Sequence, residues 1–261
     1  MKKLLALIMA MVFTLSLVGC SSSENMEDFE KELGDPGTIR VGISPDYKPF
    51  EYYDDNGNIT GFDYDMVNEL MKYIGTEDEP YKVEFIAMDF STIISSVNSS
   101  TVDIGVAAFT YDPERDCSFS DPYYDSSQVI IVNKNNGVET EADLAGQSMA
   151  AGMGTSGAGV VEELAKKYDG IKLVHPGDYT VMFESLKAGA IGAVVCDEAV
   201  GMSYVNSNPD TFVALEGKYD VQEMSIITSK KSTALMEKLN EAIAKFLESD
   251  EKQQLQDKYG L

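Results

Sequence analysis

Arg115 and Asp197 are the residues of this 261-residue chain best suited to chemistry on a small charged molecule. A guanidinium fork can hold both oxygens of a carboxylate, and a carboxylate can hold an ammonium. Thr110, just before Arg115, can accept from an ammonium or donate to a carboxylate. The backbone N–H of Ser156, at the start of a predicted helix, adds a donor for an anion. Together these groups suit a molecule with a carboxylate and an ammonium on one carbon. Withdrawn from water, each of those charges needs a charged, hydrogen-bonded partner. Plainer readings exist. Arg115 can pair with Asp112 or Asp116 on the surface, and Asp197 can cap the helix that follows it.

Other chemistries find less support. His175 is the single histidine, so a Ser-His-Asp triad or a multi-histidine zinc site is nearly excluded. It precedes Pro176-Gly177 and reads as a turn residue. Cysteine spacing shows no CxxC pattern, and no metal or cofactor is expected. The run 152–157 is glycine-rich but lacks the Lys and spacing of a phosphate loop. Asp63/Asp65 reads as a match to a helix N-terminus, and Asp54-Asp55-Asn56-Gly57 as a hairpin turn. With 44 acidic against 20 basic residues the net charge is −24. That charge repels nucleic acid and anionic lipid.

These residues need elements to position them. From residue 39 the chain alternates strand-like and helix-like segments. Strands are predicted at 39–44, 83–87, 102–107, 128–132, 148–151, 171–174, 190–195 and 225–228. Helices are predicted at 62–74, from 90 through 97, and at 156–167, 180–187, 233–247 and 251–259. Alternating βα units argue for α/β architecture with largely parallel sheets. Two such sets suggest two lobes.

Lys2 and Lys3 precede the apolar run 4–18, then Gly19 and Cys20. This is the layout of a secretory signal, too short for the roughly 20 residues of a membrane span. Leu17-Val18-Gly19-Cys20 resembles a bacterial lipoprotein lipobox, which implies lipidation of Cys20 after removal of residues 1–19. Ser21-Ser22-Ser23 reads as the start of a flexible tether over 20–37.

Pro45-Asp46-Tyr47-Lys48-Pro49-Phe50-Glu51, followed by Gly61-Phe62-Asp63-Tyr64-Asp65, carries a wider resemblance. Further along stand Thr110-Tyr111-Asp112-Pro113-Glu114-Arg115, Phe119-Ser120-Asp121-Pro122-Tyr123-Tyr124, Gly154-Thr155-Ser156 and Ala193-Val194-Val195-Cys196-Asp197. In this order and spacing, residues 38–261 resemble the polar amino-acid family of ABC-transporter solute-binding proteins (extracellular solute-binding protein family 3), of the lipoprotein type. The resemblance implies a two-lobed periplasmic-binding-protein-like fold (type II), with two α/β lobes joined by two hinge strands. Lobe one would hold 38–131 plus 224–261, and lobe two 132–223.

It also implies a ligand site. Thr110, Arg115, Ser156, Asp197 and the backbone of Ala108 would hold the main chain of a free L-amino acid. Ser44, Tyr47, Phe90, Met153 and Cys196 would surround its side chain. Ser44 is not the carboxylate that relatives binding basic amino acids often carry there. A neutral side chain is therefore expected first, and a basic one, met by Asp46 or Asp89, second. Cys117 and Cys196 would face each other from opposite lobes, where a disulfide would lock the cleft, so free thiols are expected. The implied partner is an ABC permease, the implied location the outer face of the cell membrane through the lipid anchor, and the implied state a monomer. An amino-acid-sensing module, or a dehydratase-type enzyme on the same fold, remains an alternative.

Overall fold

The computed structural model describes residues 20–76, 78–217, 219 and 221–261; the expected signal segment 1–19 lies outside them. The chain opens with α1 (Cys20–Glu32) and β1 (Thr38–Ile43), then a small three-stranded sheet of β2 (Asp46–Tyr47), β3 (Glu51–Tyr53) and β4 (Ile59–Thr60). Next come α2 (Phe62–Ile74), β5 (Lys82–Ala87), α3 (Phe90–Asn98), β6 (Ile104–Thr110), β7 (Ser118–Phe119) and β8 (Tyr124–Ser126). The second lobe holds β9 (Gln128–Asn133), β10 (Ser148–Ala150), α4 (Ser156–Lys167), β11 (Lys172–Val174), α5 (Tyr179–Lys187), β12 (Ala193–Asp197), α6 (Glu198–Ser207) and β13 (Phe212–Ala214). The chain returns through β14 (Gln222–Thr228) and closes with α7 (Thr233–Glu248) and α8 (Asp250–Tyr259).

Two open sheets result. The first runs β5-β1-β6-β14-β7, with β8 also on β14, and the second β11-β10-β12-β9-β13. β1 is parallel to β5 and β6, and β10 is parallel to β11 and β12. Every residue of β6 is buried, which is why this strand reads as an unbroken apolar run rather than an alternation. On α2, Phe62, Met66, Val67, Leu70, Met71 and Ile74 are buried at helical spacing. Gly61, which leads into α2, has φ 128°, and a Cβ there would stand 2.2 Å from the Phe50 carbonyl oxygen. Only glycine fits that turn.

The lobe boundary differs from the sequence expectation. β9 already belongs to the second sheet at Gln128, which pairs with Asp197, so the first crossing falls at Ser127 rather than after 131. On the return, Gln222 pairs with Ser126 of the first sheet. The two crossings run side by side, with the Tyr219 N–H donating to the Gln128 carbonyl at 3.2 Å.

The expected tether also differs. Residues 20–32 are helical, and Phe29 and Leu33, one turn apart, are buried against lobe one. The Glu32 carboxylate accepts the N–H groups of Ala234 (3.2 Å) and Leu235 (2.8 Å), capping the otherwise unsatisfied start of α7. Two apolar anchors in a polar stretch suffice to dock it. Among the described residues, no helix is long and apolar enough to cross a membrane.

Candidate functional site

The carboxyl ends of the parallel strands in both sheets converge on one cleft, the edge where open α/β sheets gather ligands. β1 leads into 44–47, β5 into 88–90, β10 into 152–156 and β11 into His175, while β6 ends at Thr110 and β12 at Asp197. The cleft between the lobes has a volume of about 890 Å³.

Arg115 does not take its plainer role. Its Nε stands 3.9 Å from Asp112, a loose contact. Its Nη1 donates to the Thr110 carbonyl (3.0 Å) and its Nη2 to the Gly154 carbonyl across the cleft (2.8 Å). The guanidinium lies over the stacked rings of Phe90 and Phe109, 5.7 and 5.5 Å from their centres. Burial pushes its pKa down from the usual arginine value, and Asp112 opposes that. Thr110 Oγ1 and Ser156 Oγ meet across the cleft at 2.6 Å. Ser156 is the first residue of α4, and Thr155 caps that helix by accepting the Ala158 N–H.

Asp197 occupies the cap position of α6 yet makes no side-chain cap bond. Instead its Oδ2 accepts the Tyr47 hydroxyl at 2.5 Å, and its own N–H donates to that hydroxyl at 3.0 Å. Burial pushes its pKa up; hydrogen bonds from Tyr47 and, more weakly, from Ser126 and Gln128 pull it back. Oδ1 has no partner of ordinary hydrogen-bond geometry.

Ser44, Tyr47, Phe90, Ala108 and Met153 also line the cleft, Met153 at 60% exposure. Cys196 does not. It is fully buried among core residues, because strand alternation turns it away from the face that presents Asp197. Cys117 and Cys196 are both free and buried.

Asp46 and Asp89, the acids named for a basic ligand, line the cleft, as do several residues that sequence reasoning set aside. Asp46 bridges the lobes, accepting from the Ser44 hydroxyl (3.1 Å) and the Tyr179 N–H (3.4 Å), and burial raises its pKa. Asp89, Asp178, Tyr52, Tyr53 and Tyr179 line the cleft, as does Lys48, whose ammonium stands 5.1 Å from the Tyr52 ring centre. His175 lines it too, with Nδ1 2.7 Å from the Ala151 carbonyl. A carbonyl only accepts, so Nδ1 carries a hydrogen and Nε2 is left to face other partners. The strand-end rule that pointed to Asp197 applies equally to His175 after β11 and Asp89 after β5. Glu51 lines the floor, and Asp63, read as a helix-terminus match, is fully buried beneath it.

The family model for bacterial extracellular solute-binding proteins, family 3, matches residues 39–261. The chain belongs to this family. It is 30% identical to the arginine-binding extracellular protein ArtP of Bacillus subtilis (strain 168), over 99% of this chain and 98% of that relative. Among solved structures, an ancestral arginine-binding protein bound to arginine superposes with a TM-score of 0.78 at 32% identity, covering 85% of this chain and 98% of the other. An ancestral arginine-binding protein bound to glutamine gives a TM-score of 0.76 at 30% identity, covering 85% and 97%. The fold is thus the two-lobed one of amino-acid-binding proteins, and the relatives are solute-binding proteins rather than enzymes.

Proposed function

We propose that this protein is a lipid-anchored extracytoplasmic receptor that closes on one free L-amino acid and delivers it to an ABC permease without turning it over. The observation that carries the binding role is the opposition of Arg115 and Asp197 across one cleft, both drawn away from their plainer surface roles. The ligand carboxylate takes the Arg115 fork, the Thr110 hydroxyl and the Ser156 N–H. The ammonium takes Asp197 Oδ1 and the backbone of Ala108. Anchoring rests on the lipobox at Cys20 and is tested by lipid labelling: Cys20→Ser should abolish it.

For the side chain, the cleft favours the reading that the sequence placed second. Asp46, Asp89 and Asp178 line it, while Arg115 is committed to the carboxylate and Lys48 lies over Tyr52. A cationic side chain meets those acids, whereas an acidic one would be buried unpaired at a cost of several kcal/mol. The arginine-binding relatives agree with this choice. A thermal-shift and competition panel of the common L-amino acids tests it. Arginine, lysine or ornithine should rank above every neutral amino acid; glutamine or cystine at the top would restore the neutral expectation, and no binder at all would overturn the receptor reading.

A further inference from the structure

Ala108 stands in the middle of a strand at φ 49°, in the left-handed region that a residue with a Cβ rarely occupies. Such a conformation is strained and persists only where its surroundings over-determine it. The pairing of β6 with β14 is irregular here. Phe109 faces Ser225, but the next registered pair is Gly105 with Ile227, so extra residues of β6 bulge out of the ladder between them. On its other side, β6 pairs with β1 only at Ile104 and Gly105. Ala108 therefore lacks a registered strand partner, and its N–H donates instead to Asp63 Oδ2 at 3.2 Å. The Tyr123 hydroxyl donates to the same oxygen at 2.8 Å.

Asp63 is fully buried on the first turn of α2, and its other oxygen, Oδ1, has no donor of ordinary type. Glu51 on β3 is also buried, and its Oε2 is likewise orphaned. The Asp63 N–H donates to the carbonyl of Phe50, the residue before Glu51, at 2.8 Å, and each carboxyl is among the groups that shift the titration of the other; two ionised carboxylates could not bond to one another. One proton between them satisfies both orphan oxygens, as in any pair of carboxylates too close to ionise together. The titratable groups acting most strongly on the pair are Tyr123, Asp46 and Asp197, each neutral or negative.

We propose that Glu51 and Asp63 form a proton-bridged carboxyl pair under the cleft floor that holds the Ala108 bulge and so positions the ammonium-binding half of the site. Glu51 donates its proton to Asp63 Oδ1. Asp63 Oδ2, fixed in direction by that bond and by Tyr123, then holds the Ala108 N–H and with it the orientation of the bulged peptide. The pair keeps a single negative charge below the place where the ligand ammonium arrives. Burial and the neighbouring acids push both carboxyls upward, Asp63 to about 6, as a shared proton requires. Asp63 and Glu51 are positioning residues, since the ligand touches the backbone they hold.

This inference rests on the amino-acid reading of the cleft, and the test separates the two. Calorimetry would measure L-arginine and its des-amino analogue 5-guanidinopentanoate, or the tightest amino acid of the panel and its des-amino acid. Asp63→Leu removes the acceptor, and Asp63→Asn keeps one for Ala108 and Tyr123. Asp63→Leu should weaken the amino acid by about tenfold or more while the des-amino acid changes by less than about threefold, because only the ammonium half is disturbed. Asp63→Asn should recover most of that loss. If Asp63→Leu fails to fold, Glu51→Leu, which removes only the proton bridge, should show the same selective loss. Equal losses for both ligands, or no loss for the amino acid, overturn the positioning role while leaving the receptor reading intact. A wild-type protein that binds no amino acid overturns both.

Discussion

The two ends of the cleft solve the problem of a buried charge in opposite ways. At the cationic end, Arg115 is held by neutral groups, two backbone carbonyls and the faces of Phe90 and Phe109, with Asp112 only a loose neighbour at 3.9 Å. At the anionic end, Asp197, Glu51, Asp63 and Asp46 crowd together, each with its pKa pushed up by burial. Arginine stays charged at any ordinary pH, so dipoles and π faces are enough for it. The acids have no counter-ion among them and must either share protons or wait for a cation. The anionic end is therefore the half that gains most from the ligand.

The largest expected effect breaks this asymmetry directly. Asp197→Ala should cost about 3–5 kcal/mol of amino-acid binding, because the ligand ammonium is left buried without its charged partner. Arg115→Ala should cost less, about 2–3 kcal/mol, since the Thr110 hydroxyl and the Ser156 N–H remain for the carboxylate. Asp112→Ala, 3.9 Å from the guanidinium at its nearest, should cost least. Titration calorimetry ranks the three; an Arg115 loss equal to or above that of Asp197 would contradict the comparison.

A smaller effect concerns pH. Asp63 has a folded pKa of about 6, above its ordinary 3.8, so between those values the folded chain binds more protons than the unfolded one. Stability from this group is fully present below about 3.8 and is lost as pH rises through about 6. Protonation of Asp197, Asp46 and Glu51, whose pKa values are also raised in the folded chain, acts in the same direction. The ligand-free protein should thus gain on the order of 2 kcal/mol between pH 7 and pH 5, while affinity for the ammonium falls as the acids take up protons. Thermal unfolding and calorimetry at pH 7, 6 and 5 read both quantities. Asp63→Asn should flatten the stability slope. A wild-type melting temperature that drops steadily over this range would show that the crowded acids are not under strain.

The sequence made the cationic end and the scaffold readable and left the anionic end half-hidden. Apolar periodicity located α2, and the unbroken run in β6 marked a strand covered on both faces. Arg115 and Asp197 stood out because few other residues could clamp a zwitterion. Asp63 looked like an ordinary helix-terminus acid, since its position on the first turn of α2 says nothing of Ala108 or Glu51 packing against it. Sequence spacing likewise cannot reveal that Ala108 adopts a left-handed φ, because the bulge depends on how β6 and β14 register. Asp46 was visible as an acid, but its inward turn depended on the small sheet β2-β3-β4, which no periodicity announced, and Asp89 lies on the turn from β5 into α3. The docking of α1 was masked by its polar composition, in which Phe29 and Leu33 are the buried apolar anchors and Glu32 caps α7.

The smallest effect tests whether the cationic end depends on its hydroxyls at all. Thr110 contributes twice there: its carbonyl accepts from Arg115, and its Oγ1 meets Ser156 Oγ at 2.6 Å across the cleft. Thr110→Val keeps the carbonyl, the β-branch and nearly the same volume, and removes only the hydroxyl. Ser156 Oγ can then turn to the ligand carboxylate or to water, so little is left unsatisfied, and the loss should be about 1 kcal/mol of binding. Thr110→Val combined with Arg115→Ala should lose more than the two single variants added together, because the remaining Ser156 N–H would hold the carboxylate alone. Simple additivity in that cycle would mean that hydroxyl and guanidinium act on different parts of the ligand, and would move Thr110 from the carboxylate to the ammonium side of the comparison.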